Sequence, residues 1–280
     1  MAHVTNRLPA AALLAAAITA APMAAAQPVA RTSPVPLAER VALLQRSYPD
    51  LIYAVTNNVL RLMNNRTVII HDDRRRRYLA EQRDPDIATQ LAQVYPIGKC
   101  ATGRKPDFDP GRTRSMAFLR AAYGANKYQV TRTTEVVDWF GTPVRFSSRH
   151  GAAAALRRVR AALRQLPAKL QQAVRRPART LDWVNVPNME RLSVYAFAIA
   201  IDLGRDIGDH WQQNRVGPRR KRIRYRNRVP PEVVAAFERH GFIWGGRWHR
   251  FETAHFEYRP AMIAIARLAE QRGCDAGAKR

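Results

Sequence analysis

Hydrophobic residues recur at every third or fourth position in several stretches of the chain, as they do on the buried face of a helix. This spacing predicts helices over residues 37–48, 84–95, 113–124 and 151–167. The last of these carries Leu156, Val159 and Leu163 on its apolar side and is otherwise rich in arginine. Gly124 stands where a helix C-cap is expected, so it predicts the end of the third helix.

Two other stretches are rich in residues that favour strands and are interrupted by residues that favour turns. Residues 58–72 have two such arms around the asparagine pair at 64–65, and residues 136–146 are broken by Gly141 and Pro143. Each stretch therefore predicts a β-hairpin. The sequence shows no internal repeat and no heptad pattern.

The N-terminal residues have the pattern of an export signal. Arg7 is the first Lys, Arg, Asp or Glu, the next is Arg31, and an alanine-rich apolar run lies between them. We expect residues 1–26 to be a cleaved signal peptide, and the alternative is an uncleaved anchor. Residues 27–36 hold three prolines and predict a flexible lead-in. No later apolar run is long enough to span a membrane, so the mature protein is expected to be periplasmic or secreted.

The amino-acid composition indicates a folded core and gives the chain a large positive charge. The chain has 280 residues, of which 46% are hydrophobic, and this is enough to exclude disorder of the whole chain. It has 47 Lys and Arg against 22 Asp and Glu, which gives a formal net charge of +25. All but six of these cations are arginine, an imbalance that a GC-rich genome also produces. The charge therefore indicates an anionic partner without identifying it.

Basic residues concentrate in three stretches, at residues 74–77, 151–167 and 218–228. These stretches fit either a nucleic-acid surface or ordinary solvated faces, and no zinc finger, helix-turn-helix or RRM signature accompanies them. Export also separates the protein from nucleic acid. We therefore expect no nucleic-acid partner, and peptidoglycan or other polyanions of the cell envelope become the expected partners.

The chain has two cysteines, Cys100 and Cys274. A long-range disulfide and two free thiols both remain open at this point, because the sequence does not give the distance between their Cα atoms. Neither cysteine belongs to a CxxC motif. A cysteine-based zinc or redox site is therefore not expected.

Residues of the kind that bind metals gather in two stretches, although HExxH, GxSxG, SxxK and Walker motifs are absent from the sequence. The first stretch is 191–203, where Ala198, Ala200 and Asp202 would share one face of a strand. Two alanines beside a carboxylate leave open space in front of it. A buried carboxylate in such a place needs a cation, hydrogen-bond donors or water.

The second stretch is 240–260, where Glu252 lies three residues before His255. Asp202 and His255 as metal ligands, with Glu252 taking a proton from bound water, would be the chemistry of a zinc hydrolase. The same residue types are also common in purely structural roles. Spacing alone leaves both interpretations open.

Together these residues resemble a known family. Its motif is Ser-x-His-x-x-Gly-x-Ala-x-Asp, followed later by Glu or Asp-x-x-His, and Ser193, Ala200, Asp202, Glu252 and His255 match it. The chain therefore resembles the zinc D-Ala-D-Ala peptidases, which include VanX-type dipeptidases, VanY-type carboxypeptidases and phage peptidoglycan endopeptidases. It is most similar to an exported bacterial branch with a long N-terminal region. Further pieces that resemble this branch lie at residues 109–114, 121–124, 224–230 and 244–248.

Two positions depart from the family motif. Tyr195 stands where the family has its first zinc-ligand His, and Ala198 stands at the motif Gly. A phenol has an ordinary pKa of about 10 and binds zinc well only as phenolate, so this change weakens the site. Binding by Tyr195 as phenolate remains open, as does replacement of the missing ligand by His249 or His210.

The resemblance implies Asp202 and His255 as zinc ligands and Glu252 as the general base. A salt bridge from Glu252 to Arg247 or Arg250 is the structural alternative.

The resemblance also implies residues that bind substrate. Arg112 or Arg114 would hold a substrate carboxylate, because guanidinium pairs with carboxylate through two parallel hydrogen bonds. Ser193 and Trp248 are further candidates for this role. The alternatives are solvated arginines and a Trp248 that packs in the core.

The implied fold is α+β, with a small antiparallel sheet packed with helices and a helical and hairpin N-terminal extension. We expect that extension over residues 37–180, a zinc peptidase-like core over 181–265 and a C-terminal tail over 266–280. The implied function is an exported zinc metallopeptidase that cleaves D-Ala-D-Ala or L-Ala-D-Glu type bonds in peptidoglycan stem peptides. The alternative is an inactive family member that binds cell-wall peptide or a protein partner.

The family spacing also makes a geometric prediction. Tyr195, Asp202, Glu252 and His255 should converge on one cleft. Asp202 follows Tyr195 by seven positions, which is an odd number. A continuous strand would therefore point the two side chains to opposite faces, so a turn must intervene. The carboxylate of Asp202 and the imidazole of His255 should then lie within about 8 Å of each other.

Overall fold

The predicted helices and hairpins form part of an arrangement of helices and antiparallel strands. The structure is a computed structural model that describes residue 1 and residues 34–74, 76–101, 104–204, 206–220 and 222–274. The predicted signal peptide (1–26), apart from residue 1, and residues 27–33 of the lead-in lie outside the described residues. Within the described part, helices and small antiparallel sheets make an α+β fold, as predicted.

The elements follow one another along the chain as helices and short strands. The helices are α1 (Leu37–Ser47), α2 (Tyr78–Arg83), α3 (Ile87–Ala92), α4 (Met116–Tyr123), α5 (Lys127–Arg132), α6 (Ala152–Leu163), α7 (Ala168–Val174), α8 (Pro231–Arg239) and α9 (Pro260–Gln271). The strands are β1 (Ile52–Thr56), β2 (Val59–Leu62), β3 (Thr67–Ile69), β4 (Thr134–Trp139), β5 (Thr142–Ser147), β6 (Pro177–Arg179), β7 (Ala200–Leu203), β8 (Arg215–Val216), β9 (Arg222–Ile223), β10 (Phe242–Trp244) and β11 (His255–Tyr258). Short 3-10 helices span Gly98–Cys100, Arg149–Gly151, Val194–Phe197, Pro218–Arg220 and Gly245–Arg247. Among the described residues, none of the helices is long and apolar enough to cross a membrane.

The four predicted helical stretches contain α1, α3, α4 and α6, each shorter than its hydrophobic pattern. α3 begins only after Asp86, whose carboxylate accepts a hydrogen bond from the Thr89 N–H. α4 begins after Ser115, whose hydroxyl accepts from the Phe118 N–H, and it ends at Gly124 with φ 136°. Side chains that cap the free N–H groups of the first turn therefore set where these helices start. The predicted end at Gly124 is confirmed.

Both predicted hairpins are present. β2 pairs with β3 antiparallel, and β1 adds to β2 to give the sheet order β1-β2-β3. β4 pairs with β5 antiparallel, and the turn between them holds Phe140 and Gly141, both with positive φ. Two successive positive φ angles give the tight turn whose twist matches that of the strands. Pro143 lies within β5 opposite Asp138 and does not interrupt the hairpin.

The sheet that carries the candidate site has the strand order β10-β11-β7-β6 and is antiparallel throughout. Its inner strands β11 and β7 place His255 directly opposite Asp202. α8 and α9 pack against β10, and Phe237 of α8 stacks on Phe256 of β11 with ring centroids 3.8 Å apart. Packing of these helices on the sheet fixes the two strands that hold the site.

Cys100 and Cys274 form a disulfide bond, with Cα atoms 5.2 Å apart, so the disulfide alternative is confirmed. The bond joins the 3-10 helix Gly98–Cys100 to the residue three positions after the end of α9. The described residues from 34 to 274 belong to one compact unit. α9 runs through the boundary expected between residues 265 and 266, and β6 joins the site sheet from the region before residue 181.

Candidate functional site

The chain turns between Tyr195 and Asp202. Tyr195 belongs to the 3-10 helix Val194–Phe197, Ala198 follows with φ 54° and ψ 38°, and β7 starts at Ala200. The turn that the odd spacing required is therefore confirmed. The expectation that Ala198 shares a strand face with Asp202 was wrong, because the left-handed backbone at Ala198 separates it from the extended run.

The side chains of Tyr195, Asp202 and His255 meet in a hydrogen-bonded triangle. The Tyr195 hydroxyl donates to Asp202 Oδ1 at 2.6 Å and lies 2.8 Å from His255 Nδ1. Asp202 Oδ1 and His255 Nδ1 are themselves 2.8 Å apart. The predicted proximity of the carboxylate and the imidazole is confirmed, and the register of β7 and β11 is what brings them together.

The second ring nitrogen of His255 also faces a carboxylate. His255 Nε2 lies 3.1 Å from Glu257 Oε1, and Glu257 has no exposed surface. Burial alone lowers the pKa of His255, but hydrogen bonds to Asp202 and Glu257 and their negative charges outweigh it and raise the pKa to about 10. His255 is therefore an imidazolium at neutral pH, with both ring nitrogens acting as donors.

Glu257 is the centre of a buried ion cluster that we define as Arg114, His255, Glu257 and Arg259. Arg114 Nη1 lies 2.9 Å from Glu257 Oε1, and Arg259 Nη1 lies 3.5 Å from Glu257 Oε2. Burial raises the pKa of Glu257, but the charge of Arg114 and the hydrogen bond from His255 outweigh it, so the pKa lies below its usual value. Sequence reasoning did not single out Glu257, although it stands two residues after His255.

Glu252 is held by Arg112 and faces His210. Arg112 Nη2 contacts Glu252 Oε1, and His210 Nε2 lies 3.6 Å from the same oxygen. Burial raises the pKa of Glu252, but the charge of Arg112 and the neighbouring His210 outweigh it and hold the pKa well below its usual value. Glu252 is therefore a firmly ionised carboxylate and a weak base.

The alternative partners proposed for Glu252 are occupied elsewhere. Arg247 donates to Glu238 at 2.8 Å, and Arg250 lies over the rings of Tyr78 and Trp211. The expected salt bridge from Glu252 to an arginine is present, but the arginine is Arg112. The expected partners were wrong, because Arg112 comes from a distant loop that the spacing around residue 252 does not reveal.

Asp202, Glu252 and His255 line one pocket of about 960 Å³. Its other walls come from β6, from residues 208–214 and from residues 226–228. The pocket therefore joins the end of β7 to a polar rim that contains several charged side chains.

The arginines of this pocket are Arg179, Arg226 and Arg228, none of which was predicted as a site residue. Arg228 Nε donates to Asp209 Oδ2 at 3.1 Å, and its other nitrogens donate to backbone carbonyls of the same loop. Arg226 has a side chain that is 63% exposed and lies 3.6 Å from Asp209 Oδ1. Arg179 pairs with Asp182 and lies over the ring of Tyr195. The sequence drew attention to Arg226 and Arg228 only as part of the arginine-rich run at residues 218–228, and it gave no indication of Arg179.

The four residues expected to bind substrate lie outside the lining of this pocket. Arg112 pairs with Glu252, and Arg114 is buried beside Glu257. Trp248 is buried and packs on Gly111, where a Cβ atom would clash with the indole ring. Ser193 is also buried, and its N–H donates to the Val184 carbonyl at 2.8 Å. Their expected role in binding substrate stays a prediction.

The residues present do not fit the three-ligand zinc site that the resemblance implied. Asp202 and His255 supply two family ligands, but the Tyr195 hydroxyl gives its proton to Asp202. Burial and the charges of Asp202 and Glu252 raise the pKa of Tyr195 well above its usual value, so it stays a neutral phenol. Among the described residues, no group of three or more His, Cys, Asp and Glu side chains is arranged to hold a metal ion.

The two histidines considered as replacement ligands lie in different places. His210 lines the pocket, but its Nε2 faces Glu252. His249 lies outside the pocket lining, and its Nδ1 accepts a hydrogen bond from the Asp107 N–H at 3.0 Å. Neither one completes the set formed by Asp202 and His255.

Comparison with known families gives one match. A family model described as D-alanyl-D-alanine carboxypeptidase matches residues 187–258, about a quarter of the chain. Comparisons with curated proteins and with solved structures gave no match. The matched range contains Tyr195, Asp202, Glu252 and His255. The chain is thus similar to D-alanyl-D-alanine carboxypeptidases over the segment that carries the candidate site, which supports the family resemblance and a peptidase class that acts on peptidoglycan.

Proposed function

We propose that this protein is an exported relative of the D-Ala-D-Ala peptidases that binds peptidoglycan stem peptides in the pocket of Asp202, Glu252 and His255 without hydrolysing them. The observation that carries this proposal is the position of the Tyr195 hydroxyl. It bridges Asp202 and His255 at 2.6 and 2.8 Å, so the two family ligands are tied to a protein side chain. The residue at the third family ligand position is thus a neutral phenol whose proton is donated to Asp202, and zinc is bound well by phenolate, not by phenol.

The chemistry of the pocket suits a peptide with charged groups of both signs. Glu252 and Asp202 offer carboxylates to an amino group, and Arg226 offers a mostly exposed guanidinium to a carboxylate. A stem peptide carries both kinds of group. This pairing makes Arg226 the residue that takes the role expected of Arg112 or Arg114, which pair with Glu252 and Glu257 and lie outside the pocket lining.

Two observations support export. The N-terminal pattern is that of a secretory signal, and the Cys100–Cys274 disulfide is typical of proteins in an oxidising compartment. Both fit a protein that binds the cell wall.

Hydrolysis is the second candidate function. It is favoured by the presence of Glu252, Asp202 and His255 at the family positions, all facing one pocket and all inside the matched range. A zinc peptidase would need three metal ligands, and the described side chains do not form such a group.

The deciding experiment uses the purified chain of residues 27–280. Its metal content is measured by elemental analysis, its affinity for a soluble stem pentapeptide by calorimetry, and its hydrolysis of that peptide by mass spectrometry with and without added zinc. We expect binding, substoichiometric zinc and no cleavage. Cleavage that disappears in Glu252→Gln would show a hydrolase and refute the binding-only function.

The role of Tyr195 is tested by restoring the family residues. The double variant Tyr195→His with Ala198→Gly should bind zinc more tightly than the natural chain, because a neutral imidazole needs no costly deprotonation. Ala198→Gly alone is the control for the backbone change. If the double variant gains no zinc, Tyr195 is not what prevents metal binding.

A further inference from the structure

We infer that the described residues of the segment 211–228, here named the basic arm, form a docking surface for the carboxylate-bearing peptidoglycan polymer beside the pocket. The inference rests on the proposed function, since it assigns the polymer that presents the stem peptide. The basic arm contains seven Arg and one Lys and no Asp or Glu. In the structure β8 pairs with β9 within it, and Arg215, Arg222 and Arg224 are exposed.

The basic arm is fixed against the pocket at its base. The Trp211 N–H donates to the Phe251 carbonyl, and the Arg224 N–H donates to the Asn214 carbonyl, both at 2.9 Å. Tyr225 packs edge-on against Phe251, with ring centroids 5.0 Å apart. A surface held in this way does not need to order itself when it binds, which lowers the entropic cost of binding.

The arm is also continuous with the pocket. Gln213, Asn214, Arg226 and Arg228 belong to the arm and line the pocket that contains Asp202 and His255. A polymer that lies along the exposed arginines therefore has its side peptides next to the pocket. Several weak contacts along one polymer add to give a much tighter complex than a single contact.

Several arginines of the other two basic stretches have carboxylate partners. Arg74 and Arg76 contact Asp72, and on α6 Arg157 lies 2.9 Å from Glu135. Within the arm, Arg226 and Arg228 share Asp209. Arg219, Arg222 and Arg224 are exposed in a segment whose sequence has no acidic residue, so their charge is concentrated there.

A carboxylate polymer fits this arm better than nucleic acid does. The described residues of the arm form a short hairpin and a 3-10 helix of three residues, which is too short for a recognition helix, and the arm lies beside a peptide-sized pocket. Guanidinium groups pair with carboxylates in a planar geometry with two hydrogen bonds. The stem peptides of peptidoglycan supply such carboxylates at regular intervals.

The test compares two variants with equal loss of charge. The arm variant is Arg219→Gln, Arg222→Gln and Arg224→Gln, and the control is Arg66→Gln, Arg120→Gln and Arg158→Gln, all exposed positions away from the pocket lining. Co-sedimentation with purified sacculi should show about ten-fold weaker binding for the arm variant and little change for the control. The salt dependence of the arm variant should be shallower.

Three results would overturn the inference. They are sacculus binding by the arm variant equal to that of the natural chain, equal losses in both variants, and undiminished binding of the natural chain to sacculi whose carboxylates have been amidated. The measurement with amidated sacculi uses only the natural chain, so it does not depend on whether a variant folds. Affinity for the soluble stem pentapeptide should be unchanged in both variants. If the natural chain binds no soluble peptide, the proposed function fails, whereas failure of the arm alone leaves that binding intact.

Discussion

The buried ion cluster and the basic arm hold charge in opposite ways. In the cluster, Arg114, His255 and Arg259 each lie within 3.5 Å of one carboxylate, that of Glu257. In the arm, seven arginines and a lysine follow one another with no acidic residue between them. Both regions border the same candidate site, the cluster through His255 and the arm through Arg226 and Arg228.

The difference follows from solvent. A buried charge loses its hydration, so it is tolerated only with a partner at hydrogen-bond distance. An exposed charge is screened by water and salt, so like charges can accumulate at little cost to stability. The cluster therefore serves the fold and the position of His255, whereas the exposed arginines at 219, 222 and 224 lie on the surface where a partner can reach them.

Removing the central carboxylate should have the largest effect. Glu257→Gln leaves the buried charges of Arg114, His255 and Arg259 without their shared partner, and we expect a loss of about 3 to 5 kcal/mol in the free energy of unfolding. Urea denaturation followed by circular dichroism measures it. The control is Glu135→Gln, whose partner Arg157 is exposed, with an expected loss under about 1 kcal/mol. Equal losses in the two variants would show that the cluster does not stabilise the fold.

The second prediction concerns pH and His255. Its pKa of about 10 in the folded chain lies above the value of about 6.5 in an unfolded chain. A raised pKa adds stability that is fully present below pH 6.5 and is lost as pH rises toward 10. The advantage of the natural chain over His255→Gln in unfolding free energy should therefore shrink between those two pH values.

The protonation state itself is visible by NMR. At pH 8 the ring signals of His255 should be those of imidazolium. His240 is the internal control, because burial and the nearby charges of Arg158, Arg239 and Arg267 lower its pKa, so it should be neutral. A His255 that titrates below pH 7 would contradict the two-carboxylate environment.

A smaller effect is expected at Ala198, next to the triangle. Its left-handed backbone costs an alanine about 1 to 2 kcal/mol, which glycine would relieve. Two effects of glycine oppose this gain. The more flexible unfolded chain destabilises the fold by about 0.5 to 1 kcal/mol, and loss of the buried methyl group costs about 0.8 kcal/mol. Ala198→Gly should thus be close to neutral in urea denaturation.

Ala200 is the matched control for this position. It is equally buried but lies in β7, so Ala200→Gly has only the costs, about 1 to 2 kcal/mol. If both variants are destabilised equally, the backbone at Ala198 is not strained.

The smallest effect is expected in the arm. Replacing Arg219, Arg222 and Arg224 together by Gln should change the free energy of unfolding by less than about 0.5 kcal/mol per site, because exposed side chains away from packed contacts contribute little. Thermal denaturation at low and high salt measures this. A large loss of stability would mean that these arginines support the fold, and the contrast with the buried ion cluster would then be lost.

Local patterns were enough to predict much of the fold. Periodicity predicted α1, α3, α4 and α6, and turn residues predicted the hairpins β2–β3 and β4–β5. The short helices α2, α5 and α7 were missed because six or seven residues hold too little of a helical period. α9 was missed because buried residues occupy successive positions at 261–263, which leaves no clean polar stripe.

The sequence by itself determined which residues are candidates for chemistry, because Asp202, Glu252 and His255 stand at positions of the short motifs of the family that the chain resembles. It also determined the charge of the basic arm, which is a property of consecutive residues. Tertiary structure alone decided their partners. Arg112 meets Glu252 across 140 residues, and Tyr195 meets His255 across 60. Such contacts depend on how strands and helices pack, and burial then decides whether each polar group must find a partner, so no local pattern encodes them.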